Sequence, residues 1–566
     1  MDFGNLSNQQ CEISKEVVKG ETLRAGGADI AAGDVSTLVN SGVSDALDSR
    51  LMQIECGFMR GFSGLQLIGN TSEVCRDGKE RARAALESLG IHIPPRRLVV
   101  SLTPADIKKD GNHYDLPFAV SLALLLGKGP PQVDPSRWLF AAELGLSGAL
   151  RPVKGVVSFA IAATLAGLTG VVVAADNVRE VEVLAAHRAG GGRPLVVLGF
   201  AHLRDVLAWL GGEEPESVRH GHLVSDGAGD TGSQGPDFDD MILAPELELA
   251  ALVTASGMHS LLLRGSPGTG KSMLAARLAS ILPDMEASEH IDAMRVYSQL
   301  SERLPGSLLA GRPPFRAPHH QASAAAILGR PDTPGEMALA HGGVLFLDEL
   351  PEFRRDLLEA LREPLETGEI RVSRSRRKGR WRARTILVAA CNNCPCGWFG
   401  SGRKVCRCSQ GRLFAYRQRL SGPILERIDL HVNVPEPSEA TAALFLRLAE
   451  RRGVSKTRYM ADRVRAARAF AARRNEGLGC VVNRDLAAHQ LVAAAGLPTG
   501  VFASLVNRVV PRSASSRSVM RTLRVARTLA DLASSVQVRA VDLEQAWRWQ
   551  AERAAVERGE DIAGLV

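Results

Sequence analysis

Residues 259–282 read HSLLLRGSPGTGKSMLAARLASIL, and this stretch decides the fold of the central part of the chain. A short apolar run predicts a strand, a glycine-rich turn follows, and the last residues predict a helix. The turn matches the phosphate-binding pattern GxxxxGK[ST] throughout, and its residues are Gly265, Ser266, Pro267, Gly268, Thr269, Gly270, Lys271 and Ser272. Its backbone N–H groups and the helix N-terminus would point at phosphate oxygens. The sequence therefore predicts that Lys271 binds the β- and γ-phosphates of a nucleotide and that Ser272 binds Mg²⁺.

A pair of acids follows a second apolar run, VLFL at residues 344–347. Asp348 and Glu349 would lie at the carboxyl end of this predicted strand, where ligands bind in open α/β sheets. We expect Asp348 to hold Mg²⁺ together with Ser272, and Glu349 to orient and deprotonate the attacking water. A chance acidic turn after a core strand is the alternative.

Two further polar residues are candidates for the same chemistry. A third predicted strand, residues 384–390, ends beside Asn392, whose amide would position the attacking water. Arg427, within SGPILERIDLHV, is a candidate arginine finger acting on the nucleotide of a neighbouring subunit. An ordinary ion pair is the alternative for this arginine.

The charge of the chain is unevenly distributed. The 566 residues carry a net charge of +7, but residues 354–427 contain 18 basic and 6 acidic residues, a net charge of +12, so the remainder sums to −5. With 45% hydrophobic and 23% charged residues, the chain is not a disordered polyelectrolyte. A concentrated basic zone indicates a polyanion partner such as nucleic acid.

The domain organisation follows from changes in composition. Residues 1–42 are rich in polar and small residues and predict a poorly ordered extension, residues 43–210 a mixed α/β domain, and residues 211–240 a linker. Residues 241–435 predict a second α/β domain, and residues 436–566 a helical domain. No signal peptide is evident. The uncharged stretch of residues 155–175 is better explained by a buried α/β unit than by a membrane span, so we expect a soluble, cytoplasmic protein.

A basic β-hairpin is predicted between residues 369 and 384. Residues 371–384 contain eight basic residues and no acid, in two alternating runs. The residues expected at its tip, and expected to contact DNA, are Arg376, Arg377, Lys378 and Arg380. A solvated charged edge is the alternative. For Trp381, core packing is favoured over stacking on a base.

Two Cys-x-Cys pairs lie close together in the sequence. They are Cys394, Cys396, Cys406 and Cys408, and four thiolates would close a tetrahedral Zn²⁺ site. The spacing is tighter than in most zinc motifs, and a reduced, metal-free loop is an equal alternative. His319 and His320 are not expected to be metal ligands.

The chain resembles the ComM/YifB family of magnesium-chelatase-like AAA+ ATPases. The runs that carry the resemblance are FRAPHHQASAAAILGRPDTPGEMALAHGGVLFLDELPEF at 315–353, CPCG at 394–397, RLSGPILERIDLHV at 419–432 and SSRSVMRTLRVARTLADL at 515–532. The resemblance implies ATP and Mg²⁺ as ligands, Asn392 as the sensor-1 residue and Arg427 as the arginine finger. It makes Arg517 the first candidate for the sensor-2 arginine, and Arg524 the second. The family's usual Met-Asn-Pro at the sensor-1 position is Cys-Asn-Asn here.

The resemblance also implies a fold class. This is α/β, with an N-terminal domain similar to the Lon protease domain and to the ribosomal S5 domain 2 fold, a central AAA+ P-loop NTPase domain and a C-terminal helical lid. Lys154 matches the Lon lysine, but no serine stands near Tyr114–Pro117, where the Lon nucleophile would fall. Since a Ser–Lys dyad needs its nucleophile, we expect no protease activity and a structural role for Lys154.

The nucleotide-site residues predict ATP hydrolysis, and the basic hairpin favours a DNA substrate. The resemblance implies a homo-hexameric ring that acts on single-stranded or branched DNA, as a helicase promoting branch migration during natural transformation or recombination. No membrane partner is expected. A chaperone that remodels a partner protein, like the ATPase subunit of magnesium chelatase, is the second hypothesis. A scaffold that binds ATP without turnover is the third.

Overall fold

The computed structural model contains three packed regions. It describes residues 37–45, 48–127, 131–188, 195–213, 219–220, 236–301, 303–374, 377–420, 422–436 and 455–558. Most of the predicted N-terminal extension, most of the predicted linker, and Arg376 lie outside these residues.

The N-terminal region is built on a mixed eight-stranded sheet. Its strands are β1 (Thr37–Asp45), β2 (Asp48–Met59), β3 (Gly64–Ile68), β4 (Arg97–Thr103), β5 (Trp138–Ala141), β8 (Gly170–Ala174), β9 (Val196–Phe200) and β10 (Arg219–His220), in the order β10-β9-β8-β5-β1-β2-β4-β3. The short strands β6 (Glu143–Leu144) and β7 (Leu150–Arg151) pair separately. The helices are Glu73–Ser88, Asp115–Leu126, Val156–Leu165, Val178–Arg188 and Leu203–Leu210. Helix Val156–Leu165 and strand β8 are almost entirely buried, which confirms the buried unit predicted for residues 155–175.

Two predicted domain boundaries, the start of the N-terminal region and the end of the linker, need correction. Strand β1 begins at Thr37, inside the predicted extension, because pairing with β2 and β5 on its two edges stabilises a segment of weak apolar character. The predicted linker ends too late, because Phe238 is fully buried in the core of the next region. The backbone N–H of Phe238 donates to the Thr457 hydroxyl, 2.8 Å away, which ties this segment to the C-terminal helices.

The central region contains a fully parallel five-stranded sheet. Its strands are β11 (Leu261–Arg264), β12 (Phe315–Arg316), β15 (Val344–Leu347), β18 (Ile386–Cys391) and β19 (Leu430–Asn433), in the order β12-β15-β18-β11-β19. Two hairpins are formed by β13 (Gly329–Arg330) with β14 (Thr333–Pro334) and by β16 (Glu369–Arg374) with β17 (Arg377–Arg382). The three strands β11, β15 and β18 are buried along their whole length, as expected for apolar strands covered on both faces.

Helices cover both faces of this sheet. The helices of the central region are Pro245–Gly257, Lys271–Leu278, Ala287–Ser298, Gly306–Leu309, Ala324–Leu328, Glu336–Leu339, Arg355–Ala360, Arg362–Thr367, Gln410–Arg419 and Gly422–Leu425. Met285, Met294 and Leu308 of this region share one apolar cluster with the N-terminal domain. The two α/β regions are therefore joined by a continuous core.

The C-terminal region is helical. Its helices are Lys456–Arg474, Ala488–Ala494, Thr499–Val509, Ser516–Leu532 and Ala540–Arg558. Val525, Leu529 and Trp549 share a core with the parallel sheet. Among the described residues, no single helix is long and apolar enough to span a membrane. The helices Ala488–Ala494 and Thr499–Val509 pass that test only when counted together, across a 104° bend, and only by length and composition.

Candidate functional site

The phosphate-binding turn lies between strand β11 and helix Lys271–Leu278, as predicted. Gly268 and Gly270 have φ values of 76° and 90°, which glycine adopts without steric cost. Lys271 Nζ donates to the carbonyl oxygens of Gly265 and Ser266, both 2.8 Å away. The ammonium group thus lies within the turn, close to where phosphate oxygens would bind.

The two predicted acids lie at the carboxyl end of β15. The Ser272 hydroxyl donates to Asp348 Oδ2 at 2.6 Å, and the backbone N–H of Glu349 donates to Asp348 Oδ1 at 2.9 Å. Glu349 has a φ of 52°, a left-handed conformation that costs a non-glycine residue about 1–2 kcal/mol. Its side chain is 52% exposed and accessible to water.

Asn392 connects the two halves of the site. Strand β18 lies between β15 and β11 in the sheet, so its carboxyl end lies between the acids and the phosphate-binding turn. Lys271 Nζ donates to Asn392 Oδ1 at 3.1 Å. Burial lowers the pKa of Lys271, while Cys391 and Asp348 oppose that shift. The structure therefore brings together every residue predicted for the nucleotide site on these three strands.

This donor set suits a magnesium nucleotide. Ser272 and Asp348 offer a hydroxyl and a carboxylate oxygen side by side, which are ligands that Mg²⁺ accepts. Mg²⁺, when bound, would neutralise the charge that develops on the phosphates. Lys271 would bind phosphate oxygens in place of the carbonyl groups it now contacts, Asn392 would orient a water, and Glu349 would accept that water's proton.

His320 also contacts this site, although it was not among the residues predicted for it. Its Nδ1 lies 3.2 Å from Glu349 Oε2. The residue follows the two-residue strand β12, which neighbours β15 in the sheet. Site residues often follow a strand, and this position could have indicated His320. Because β12 contains only two residues, however, the strand is difficult to recognise in the sequence.

The candidate arginine finger lies elsewhere, at a cavity of about 470 Å³. Arg427 is 11% exposed, and its guanidinium group contacts Glu366 Oε1 at 2.7 Å. Arg517 lies 4.0 Å from the same carboxylate and 3.6 Å from Glu426. Among the described residues, those lining this cavity include none of 265–272 and neither acid of the 348–349 pair. Within one chain, Arg427 and Arg517 are therefore on a common surface away from the nucleotide site.

The second sensor-2 candidate lines the same cavity. Arg524 Nε donates to the carbonyl oxygen of Leu486 at 2.9 Å, so its guanidinium group is held by the backbone of the C-terminal region. Arg521 and Arg484 also line this cavity. Five arginines consequently converge between the parallel sheet and the C-terminal helices.

The predicted basic hairpin is present as β16 and β17. Arg380 is placed within β17, opposite Arg371, rather than at the tip. The guanidinium groups of Arg380 and Arg382 both donate hydrogen bonds to the carboxylate of Glu369. The pKa of Glu369 is lowered, and the hydrogen bond from Arg380 is the largest cause. Lys378, nearer the tip, is exposed. This one carboxylate therefore offsets part of the positive charge that Arg371, Arg380 and Arg382 place at the base of the hairpin.

The opposite face of the hairpin packs on the protein. Trp381 is fully buried, and its Nε1–H donates to the carbonyl oxygen of Arg330 at 2.8 Å, which confirms the core-packing interpretation. A Cβ atom at Gly379 would lie 2.5 Å from the backbone of Pro331, so this glycine permits close approach of the two segments.

The four clustered cysteines converge. The sulfur atoms of Cys394, Cys396, Cys406 and Cys408 all lie within 4.8 Å of one another. The cluster follows Asn392 directly in the sequence.

The N-terminal domain contains the residues that were compared with the Lon protease domain. Lys154 is exposed, and Tyr114 is fully buried.

Three family descriptions match consecutive parts of the chain. They are "Subunit ChlI of Mg-chelatase" at residues 54–177, "Magnesium chelatase, subunit ChlI" at residues 237–442 and "Magnesium chelatase, subunit ChlI C-terminal" at residues 454–550. The fold and the site therefore define a magnesium-chelatase-like AAA+ protein. This class implies ATP and Mg²⁺ as ligands and suggests ATPase activity and oligomeric assembly.

Relatives that match most of the chain identify the family within this class. The protein YifB of Escherichia coli is 33% identical over 518 residues, which are 91% of this chain and 97% of the relative. The competence protein ComM of Haemophilus influenzae is 36% identical over 403 residues, 70% of this chain and 76% of the relative. The chain belongs to the ComM/YifB family.

Similarity to Lon proteases is partial. The Lon protease of Trichlorobacter lovleyi is 26% identical over 152 residues, which cover 26% of this chain and 18% of that protein.

Proposed function

We propose that this protein is an ATP-hydrolysing ring motor that acts on single-stranded or branched DNA, as a helicase promoting branch migration during natural transformation or recombination. The observation that carries the proposal is the hairpin of β16 and β17, whose exposed face is basic and whose second strand leads directly into β18. Since β18 ends beside Asn392, a force that DNA exerts on the hairpin would be transmitted along β18 to the nucleotide site.

Assembly into a homo-hexamer would complete each site. Arg427 and Arg517 share a carboxylate partner on a surface away from the chain's own phosphate-binding turn. In a ring, a neighbouring subunit's nucleotide is the ligand that Arg427 would bind in exchange for its contact with Glu366, and Arg517 lies beside the same carboxylate. On this proposal Arg427 acts as the arginine finger, and Arg517 contacts the phosphates from the same side.

Each residue of the site has a role in this cycle. Lys271 and the backbone N–H groups of the turn bind the phosphates, Ser272 and Asp348 hold Mg²⁺, Asn392 orients the water and Glu349 accepts its proton. ATP and Mg²⁺ are the cofactors of this proposal, and Zn²⁺ is the further metal that the cysteine pairs predict. The relative named competence protein ComM supports the assignment to transformation.

A strand-exchange assay tests the proposal. A labelled three-strand junction is incubated with the full chain and ATP, and with the Glu349→Gln variant. We expect ATP-dependent movement of the branch point by the wild-type protein, and a loss of about 100-fold or more in the variant, since a general base contributes about 10²–10⁴-fold. ATP turnover without branch movement, together with ATP-dependent remodelling of a protein partner, would favour the chaperone hypothesis instead.

A further inference from the structure

The segment that carries the four clustered cysteines has almost no core of its own. Residues 392–409 connect β18 to helix Gln410–Arg419 and contain no helix or strand. Within this segment only Cys394 and Gly397 are buried. Because the segment buries little apolar surface, packing stabilises it weakly, and a bound metal would add a crosslink to it.

The arrangement of the thiols is that of a tetrahedral metal site. Cys394 Sγ lies 3.3 Å from Cys396 Sγ and 3.7 Å from Cys406 Sγ, and the last two sulfurs are 3.6 Å apart. Zinc–sulfur bonds of about 2.3 Å in a tetrahedron separate the sulfurs by about 3.8 Å. Cys408 completes the set within 4.8 Å.

Backbone groups also point at the sulfur atoms. The N–H of Phe399 donates to Cys394 Sγ at 3.3 Å, and the N–H of Cys408 donates to Cys406 Sγ at 3.5 Å. Such N–H groups stabilise the negative charge of thiolates and fix the ligand orientation. Each Cys-x-Cys pair therefore contributes both ligands and local hydrogen bonds.

This cysteine segment packs directly against the nucleotide site. A Cβ atom at Gly397 would lie 2.4 Å from the Pro267 ring, so the backbone of the segment touches the phosphate-binding turn. Asn393 Nδ2 donates to the carbonyl oxygen of Phe399 at 3.1 Å. The pKa of the Glu436 carboxyl is lowered, first by Ser401 of the segment and then by Ser266 of the turn, so this carboxyl lies near both.

We propose that Cys394, Cys396, Cys406 and Cys408 bind one Zn²⁺ ion and that this metal centre holds the phosphate-binding turn and Asn392 in the conformation that binds nucleotide. Binding releases the thiol protons to solvent, and no electron transfer is involved. The effect of the metal on nucleotide binding rests on the proposed nucleotide site, whereas zinc binding by the four cysteines does not depend on it.

Metal content and metal spectroscopy of the full chain test the inference. Elemental analysis of the purified protein should give one zinc per chain. Replacement of the metal by Co²⁺ should produce the intense absorption of cobalt–thiolate charge transfer, which reports the ligands independently of activity. The Cys406→Ser/Cys408→Ser variant should lose both signals, whereas Cys480→Ser, at a half-buried cysteine outside the cluster, should keep them.

Binding of a fluorescent ATP analogue then tests the coupling. Removing zinc from the wild-type protein with a chelator should weaken binding about 10-fold or more, and adding zinc back should restore it. This reversible step separates loss of the metal from misfolding of the double variant. A protein without zinc or cobalt–thiolate absorption, or one whose ATP affinity ignores zinc removal, would overturn the inference. If the metal results hold but DNA has no effect on the protein, the proposed function fails and the metal centre stands.

Discussion

At the residue scale, the contact between His320 and Glu349 is the feature with the clearest consequence. The acid is half-exposed and has a left-handed backbone, so few contacts fix its carboxylate. The 3.2 Å contact with His320 Nδ1 is therefore an orienting interaction, and His320 is a positioning residue for the proposed reaction.

Replacing His320 by alanine should lower kcat for ATP roughly 10- to 100-fold and leave the affinity for ATP nearly unchanged, because a misplaced base slows the chemical step without removing a phosphate contact. Steady-state kinetics and analogue binding measure the two effects. His319→Ala is the matched control, since His319 Nδ1 accepts from the backbone of Gln321 instead. Equal loss in both variants, or a loss of binding rather than turnover, would contradict this role.

At the scale of elements, the hairpin of β16 and β17 differs in charge between its base, which contains an acid, and its tip, where the sequence is basic. Glu369 neutralises part of the charge at the base, and Trp381 anchors the inner face. Lys378, which is exposed near the turn, and the arginines that precede it in the sequence are therefore the residues expected to contact a phosphate backbone.

The triple variant Arg376→Ala/Arg377→Ala/Lys378→Ala should bind single-stranded DNA at least about 10-fold more weakly, with a shallower dependence of log affinity on log salt, because each lost phosphate contact lowers that slope by about 0.7. Fluorescence anisotropy at several salt concentrations measures both quantities. Arg465→Ala/Arg473→Ala/Arg508→Ala removes three charges from exposed positions on the C-terminal helices and should have little effect. An equal loss of DNA affinity in both variants would mean that the hairpin is not the specific DNA-binding element.

The elements also show how far the sequence predicts this protein. The phosphate-binding turn, the acids after β15, Asn392 and the hairpin were predicted because each is a local pattern on one strand and its loop. The contact of His320 with Glu349 depends on the order of strands in the sheet, which no local pattern encodes. Strand β1 was missed because its pairing on both edges, rather than its composition, stabilises it.

At the scale of the whole molecule, the position of Arg427 makes a prediction about the assembly. Arg427→Ala should lower turnover on the order of 100-fold or more, as other arginine fingers do. Lys271→Ala should be inactive as well, because it removes the phosphate contact. Co-expressed mixtures of the two variants should recover turnover, because some interfaces pair an intact turn with an intact arginine. Mixtures no more active than either variant alone would contradict the role of Arg427 at a neighbouring subunit's nucleotide.

A buried acid in the contact between the N-terminal and central regions predicts a dependence of stability on pH. Glu180 is buried and accepts from the backbone N–H of Leu304 at 2.8 Å, and burial raises its pKa from 4.5 to about 7. Because the folded state holds this proton more tightly than the unfolded state, stability should fall as the pH rises from about 4.5 to about 7, by at most about 3 kcal/mol.

Thermal unfolding at about pH 5 and about pH 8 measures this effect. Glu180→Gln keeps an acceptor for the Leu304 N–H and removes the charge, so it should raise the melting temperature at the higher pH only. Glu80→Gln, at an exposed acid on helix Glu73–Ser88, is the control. A wild-type pH dependence retained in Glu180→Gln would assign it to other groups.

The most direct test of the central claim is the rate of ATP hydrolysis with and without single-stranded and forked DNA. The account predicts that DNA stimulates turnover, that the hairpin triple variant keeps its basal rate but loses the stimulation, and that Glu349→Gln abolishes both. A rate that Glu349→Gln abolishes but that DNA leaves unchanged would contradict the account, because the protein would then be an ATPase whose hairpin does not transmit DNA binding to the nucleotide site.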